Sequence, residues 1–296
     1  MATFTENHFL KGAEFTIDDI SIGKPKVNSS GGKNIPIFNA KAKKLLSIAT
    51  PRMLTWGVNE NDYEGNGNKK YDMSFQFPND EYATEASTKF LENMAGFEAH
   101  IRQMAIENSK EWFNKAKMNE DVVDALWTPI LKYPKTKEAD GSYGDPDLSR
   151  PPTLKVKLPF WDNEFTSEIY DMEHNMLFPN ADDSSAHPMT LIPKASQTAA
   201  IIQCGGIWFA GGKFGVTWKL VQCLVKPKAT LKGKCHIQLD DDDMAKLKSQ
   251  VVDDEVAQED ATAAQDTDDE QDPEPEPEPA PAPSKKKKVV KKKASD

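Results

Sequence analysis

The chain has 296 residues and carries 37 Lys and Arg against 47 Asp and Glu, a formal net charge of −10. The acid excess is concentrated at one end: 17 acids face two lysines between Asp240 and Pro283, before a terminal run of seven lysines. The preceding body is therefore close to neutral, which argues against binding duplex DNA by bulk charge and leaves room only for a local basic groove.

No apolar run reaches membrane-spanning length and no signal-peptide pattern opens the chain. Cys204, Cys223 and Cys235 are too few and too widely spaced for a disulfide framework. A soluble intracellular protein of a reducing compartment, with no membrane association, is the expectation.

Residues 1–34 are weakly patterned. Phe15, Ile17, Ile20 and Ile22 suggest a short edge strand before a Ser-Ser-Gly-Gly loop at Ser29–Gly32. Strand-like character follows in Ile35, Ile37 and Phe38, in Leu45, Leu46 and Ile48, and beyond Pro51 in Leu54, Trp56 and Val58. Asn59–Asn68 reads as a loop. Tyr71, Met73, Phe75 and Phe77 then alternate with Asp72, Ser74 and Gln76, which predicts a strand with one buried and one wet face.

A helix is predicted from Tyr82 to Lys117, because Phe90, Met94, Phe97, Ile101, Met104 and Trp112 recur at steps near three or four. Asn119 is placed to cap a second short helix through Val122, Val123 and Leu126. Trp127–Tyr133 reads as a strand and Pro134–Pro152 as a polar surface loop. Leu154, Val156 and Leu158 alternate with Lys155 and Lys157, predicting a strand with a basic outer face, and a strand near Glu164–Asp171 follows. Ile201 to Phe209, the Gly211-Gly212 turn and Phe214–Val225 form a hairpin. Cys235–Leu239 is a last strand.

These elements give an α+β fold: a mostly antiparallel barrel or sandwich with an inserted long helix and no βαβ alternation. The organisation is an arm or edge strand over 1–34, a body over 35–239 and a tail over 240–296. The tail has too little apolar mass to offset the entropy of ordering, so disorder is expected.

Catalytic patterns are absent. Gly31-Gly32-Lys33 and Gly211-Gly212-Lys213 lack phosphate-loop spacing, Cys235-His236 has no partner pair for zinc, and nothing resembles a nucleophile elbow. A non-enzymatic protein without metal or cofactor is expected.

Basic residues do interleave with aromatics on several predicted strands, the combination that unpaired nucleotides need. Cations track phosphates while flat rings stack bases at about 1–3 kcal/mol each. The candidate phosphate contacts are Arg52, Lys70, Lys132, Lys155, Lys157, Lys213 and Lys219; the candidate stacking residues are Trp56, Tyr71, Tyr133, Trp161 and Phe214. The plainer reading is that most of the tryptophans are core residues and that the lysines protect strand edges. The acidic tail either solubilises the chain or competes, as a tethered polyanion, for the cationic cleft. The lysine end suits an import signal, a second DNA contact or a partner for the acidic tract.

The stretch Gly212–Leu220, Gly-Lys-Phe-Gly-Val-Thr-Trp-Lys-Leu, together with Cys235-His236-Ile237, resembles proteins of the nucleo-cytoplasmic large DNA viruses of algae and protists. So does Met53-Leu54-Thr55-Trp56-Gly57-Val58 followed by Tyr71-Asp72-Met73-Ser74-Phe75. Those proteins are related to the single-stranded-DNA-binding replication protein of short-tailed coliphages. The resemblance covers residues 35–239. It implies an OB-fold barrel elaborated by a long helix, a role in viral DNA replication, recombination and repair, and dimerisation through an acidic C-terminus. Single-stranded DNA and viral replication proteins are the implied partners, in the host nucleus or a cytoplasmic virus factory, with packaging in the virion as a further location. The chain departs from the phage pattern at its end, which is Lys-rich and closes on Ala294-Ser295-Asp296 rather than on acids and an aromatic residue. Two alternatives stand beside this reading: a structural or scaffolding virion protein, and an acidic-tailed chaperone of basic proteins such as histones.

Overall fold

Alternation of apolar and polar side chains over five long segments builds the main sheet, as the computed structural model shows; it describes residues 8–27, 32–62, 69–137, 141–181, 183, 186–226, 237 and 239–247. The strands are β1 (Met53–Asn61), β2 (Lys70–Gln76), β3 (Thr153–Leu158), β4 (Ser196–Ala210) and β5 (Lys213–Lys226). Antiparallel ladders join β1 to β2, β2 to β3, β4 to β5 and β4 to β1. β3 and β5 run parallel, with Val156 opposite Trp218 and Lys157 opposite Lys219. Pairing therefore passes β1-β2-β3-β5-β4 and returns to β1.

Short strands extend this sheet, among them Lys33–Ile35, Ser47–Ala49, Trp127–Thr128, Leu131–Lys132 and Glu168–Tyr170. The fold is α+β and mostly strand.

One side of each long strand supplies the core. Met73, Phe75, Leu154, Val156, Ile202, Trp218 and Leu220 are all buried. Helix α1 (Glu85–Glu107) packs on them through Phe90, Met94, Phe97, Ile101 and Ala105, spaced at three and four residues. Phe97 meets Trp218 at 5.7 Å between ring centroids. The start of α1 is set by a capping box, in which Ser87 N–H donates to Thr84 Oγ1 and Thr84 N–H to Ser87 Oγ.

Several expected elements take a different form. The helix forecast over 82–117 is interrupted at Asn108, whose side-chain amide donates to the Met104 carbonyl at 2.8 Å, and resumes as Ser109–Phe113. Asn114, at φ 56°, then ends it. The strand expected over Trp127–Tyr133 splits at Pro129, which has no N–H for a ladder. Its first half, Trp127–Thr128, pairs with β5; its second, Leu131–Lys132, pairs with β3. The loop 134–152 contains a small ladder between Lys135–Lys137 and Tyr143–Pro146. At the N-terminal side Phe15 is buried outside any strand, and Ile20–Ile22 pairs with Ile37–Asn39.

By internal contacts the chain divides into Met1–Thr230 and Leu231–Asp296. In the second unit residues 241–247 are helical, which corrects the expectation of a tail without secondary structure at this point. Asp240 starts that helix by accepting the Asp243 N–H at 2.9 Å, and acids suit a first turn. The remaining acidic and lysine-rich residues lie outside the described residues, as do most of the expected strand Cys235–Leu239 and loop residues 28–31 and 63–68.

Candidate nucleic-acid interface

The side of β2 and β3 turned away from the core is polar because every second residue there is polar: Lys70, Asp72, Ser74 and Gln76 on β2; Thr153, Lys155 and Lys157 on β3. Strand register aligns these side chains in rows. Lys219 stands beside Lys157, which faces Asp72, which faces Asn59. In the next row Lys155 faces Ser74. In the third, Lys132 faces Thr153, Gln76 and then Leu54.

These rows form part of a groove of about 560 Å³ in which Lys132, Lys155, Lys157 and Lys219 come together, with Trp208 and Thr217 as further lining. The cations feel one another. The Lys157 ammonium is held below the ordinary 10.5 of lysine, first by desolvation and then by the charges of Lys219, Lys155 and Lys70, while Asp72 opposes the shift. Asp72 is the only acid that register places in these rows among the described residues. It pairs with Lys155 at 2.7 Å and accepts the Asn61 side-chain amide at 2.9 Å.

Two local devices build the groove. The first is a bulge in β4. Cys204 faces Trp218 and Ile207 faces Val216, so Gly205 and Gly206 oppose Thr217 alone. The extra residue resets the alternation: Ile207 returns to the core and Trp208 joins the groove wall. Gly206 has φ +87°, and a Cβ there would meet the Ile35 carbonyl oxygen at 2.6 Å, so only glycine fits. The second device lies on α1. Glu98 accepts the backbone N–H groups of Ile130 and Leu131, the latter at 3.3 Å, and so holds the turn from which Lys132 emerges. Burial pushes the Glu98 carboxyl above its ordinary range against the opposing effect of those two N–H donors.

The other candidates separate. Trp56 is 48% exposed on the polar side of β1, with its indole N–H donating to Gln76 Oε1 at 3.3 Å. Trp161 is 82% exposed at the end of a two-residue turn, Asp162-Asn163, whose residues have φ of 54° and 62°. Lys70 is exposed at the start of β2, and Lys213 is exposed beside the Gly211-Gly212 turn, outside the groove lining. Arg52 lines a different groove. Tyr133 is half-buried against the core.

Tyr71 and Phe214 are corrections. Tyr71 is 5% exposed, edge-on to Phe160 and Phe165, and its hydroxyl donates to Glu60 at 2.9 Å; burial and that carboxylate push its pKa up to about 12. Phe214 is wholly buried between Trp127, Phe113 and Phe209. Neither ring offers a face to a base, because each falls on the core side of its strand's alternation.

Trp208 and Thr217 were not among the candidates. No parity rule could place Trp208 without knowledge of the bulge. Thr217 shares the parity of Lys213 and Lys219, so its side was legible. Outside the groove, Cys204 and Cys223 are buried free thiols pushed up to about 12 by desolvation, which removes them as nucleophiles. Among the described residues no group of three or more His, Cys, Asp or Glu is placed to hold a metal ion, and no helix is long and apolar enough to cross a membrane.

No protein-family model and no curated protein matches the chain. Among solved structures, the single-stranded DNA-binding protein from bacteriophage Enc34 in complex with ssDNA aligns with a TM-score of 0.36 and 10% identity, over 71% of this chain and 98% of that one. The gp2.5 single-stranded DNA-binding protein of bacteriophage T7 aligns with a TM-score of 0.37 and 12% identity, over 66% of this chain and 98% of its own. Likeness at this level establishes neither fold nor function.

Proposed function

We propose that the chain binds single-stranded DNA without sequence preference across the polar side of β1, β2, β3 and β5. One observation carries the reading: Lys132, Lys155, Lys157 and Lys219, which come from separate stretches of sequence, line a single groove together with Trp208. Four ammonium groups gathered in one groove attract a polyanion, and ring faces at Trp208 and Trp56 accept bases of any kind. The pairing order β1-β2-β3-β5-β4, with β3 and β5 parallel, supports an OB-fold barrel, whose second and third strands offer the face that receives oligonucleotides. A neutral body with a local cationic track fits this task better than duplex binding.

The resemblance in sequence extends the proposal to replication, recombination and repair of a large viral genome. It also extends it to dimerisation and to recruitment of replication proteins through the acidic tail. The test is the affinity of the full chain for a fluorescent oligothymidylate across a salt series. Wild type binds and weakens with salt, and K157A/K219A weakens binding and flattens the log–log salt slope by about 1.4, at about 0.7 per lost single-strand phosphate contact. An unchanged slope in that variant sinks the assignment.

A further inference from the structure

We infer that the binding path continues beyond the lysine groove into a second groove, where Arg52 and Arg150 clamp the strand. This rests on the reading of the first groove and adds the far end of its footprint. The second groove has a volume of about 710 Å³, and its lining includes Arg52, Arg150, Tyr82, Gln76, Leu54 and Pro134.

Three observations join the two grooves. Lys132, in the first, is followed two residues later by Pro134, in the second. The row that starts at Lys132 passes through Thr153 to Gln76 and Leu54, both of which line the second groove. Between them, Gln76 accepts the indole N–H of Trp56, so an exposed ring stands over the crossing. Three ladder steps of about 4.8 Å separate Lys132 from Leu54, a distance of about 14 Å, which about four stacked nucleotides span at 3.4 Å each.

The chemistry of the two grooves differs. The first offers ammonium groups, which act as mobile point charges. The second offers two guanidinium forks, which grip a phosphate in two parallel hydrogen bonds or lie flat on a base. Both arginines are exposed, and Tyr82, 67% exposed, supplies a ring beside them. Asp147, whose carboxyl is held below its ordinary range chiefly by its bonds to Ser149, also feels the charge of Arg150.

The experiment compares wild type, R52A/R150A and K157A/K219A in full-length protein on oligothymidylates of about four nucleotides, too short to fill the first groove and reach the second, and of about sixteen, the range of footprints for such sites. The path as inferred gives R52A/R150A a loss of about tenfold on the long oligomer, with a salt slope flatter by about 1.4, and no loss on the short one. K157A/K219A loses affinity for both lengths. No loss in R52A/R150A on the long oligomer, or equal loss on both lengths, overturns the second groove while leaving the first intact. Failure of wild type to bind either length overturns both readings. R52K/R150K separates fork from charge: full recovery of affinity removes the clamp, and partial recovery supports it.

Discussion

At the residue scale the groove is a balance of like charges around one acid. Asp72 holds Lys155 at 2.7 Å and stands beside Lys157, so on the proposed reading a bound phosphate would compete with it for these ammonium groups. Removing that charge without changing the side chain's shape, in D72N, raises affinity for oligothymidylate at least about fivefold, since one charge at contact distance is worth about 1 kcal/mol even in water and Asp72 is buried. A titration of the folded variant that shows unchanged or weaker binding refutes this. Lys157 adds a pH effect. Its ammonium is held below 10.5, and a bound phosphate favours the charged form, so binding takes up a proton on the alkaline side. Affinity falls as pH rises through the lowered pKa of Lys157. K157R stays charged and keeps a flatter profile when binding is followed from about pH 7 to about pH 10. For stability the sign is opposite: between the lowered value and 10.5 the unfolded chain holds this proton more tightly than the folded one, so stability rises with pH in that window.

At the scale of the element, α1 is more than a lid on the core, because Glu98 fixes the turn before Lys132. E98A leaves the Ile130 and Leu131 N–H groups without their acceptor, costs about 1–3 kcal/mol each in denaturant unfolding, and loosens Lys132. E98Q keeps an acceptor and removes a buried charge, so it retains wild-type stability near neutral pH. Equal loss in both variants denies the clamp. Much of this architecture was legible in the chain. The alternation around Met73 and Phe75, the run of Phe90, Met94, Phe97 and Ile101, and the two lysines flanking Val156 all sit where periodicity puts them. Tyr71 could have been read the same way, since it shares the parity of Met73 and Phe75. What periodicity misses is a change of phase. The bulges at Trp56-Gly57 and Gly205-Gly206 each turn the following residues over, and Pro129 divides one apparent strand between two neighbours. Such features depend on what lies across the ladder, which a single chain read locally does not contain.

For the whole molecule, the net charge of −10 is an average over opposite extremes. The residues from Asp240 to Pro283 hold 17 acids, and the expectation from the sequence is that such a tethered polyanion competes with a strand of DNA for cations. Deleting residues 240–296 tightens oligothymidylate binding at low salt, and the difference closes as salt screens both competitors; equal affinity of the two proteins at low salt argues that the tail only solubilises. The parallel pairing of β3 with β5 has a consequence for how the protein comes into being. Lys157 and Lys219 become neighbours only when segments 62 residues apart in the chain dock side by side, so a nascent polypeptide has no complete groove until its last hairpin has been made. That closing step also brings ammonium groups against one another. Salts that screen repulsion therefore ease assembly of the same cleft while weakening the hold on nucleotides proposed for it.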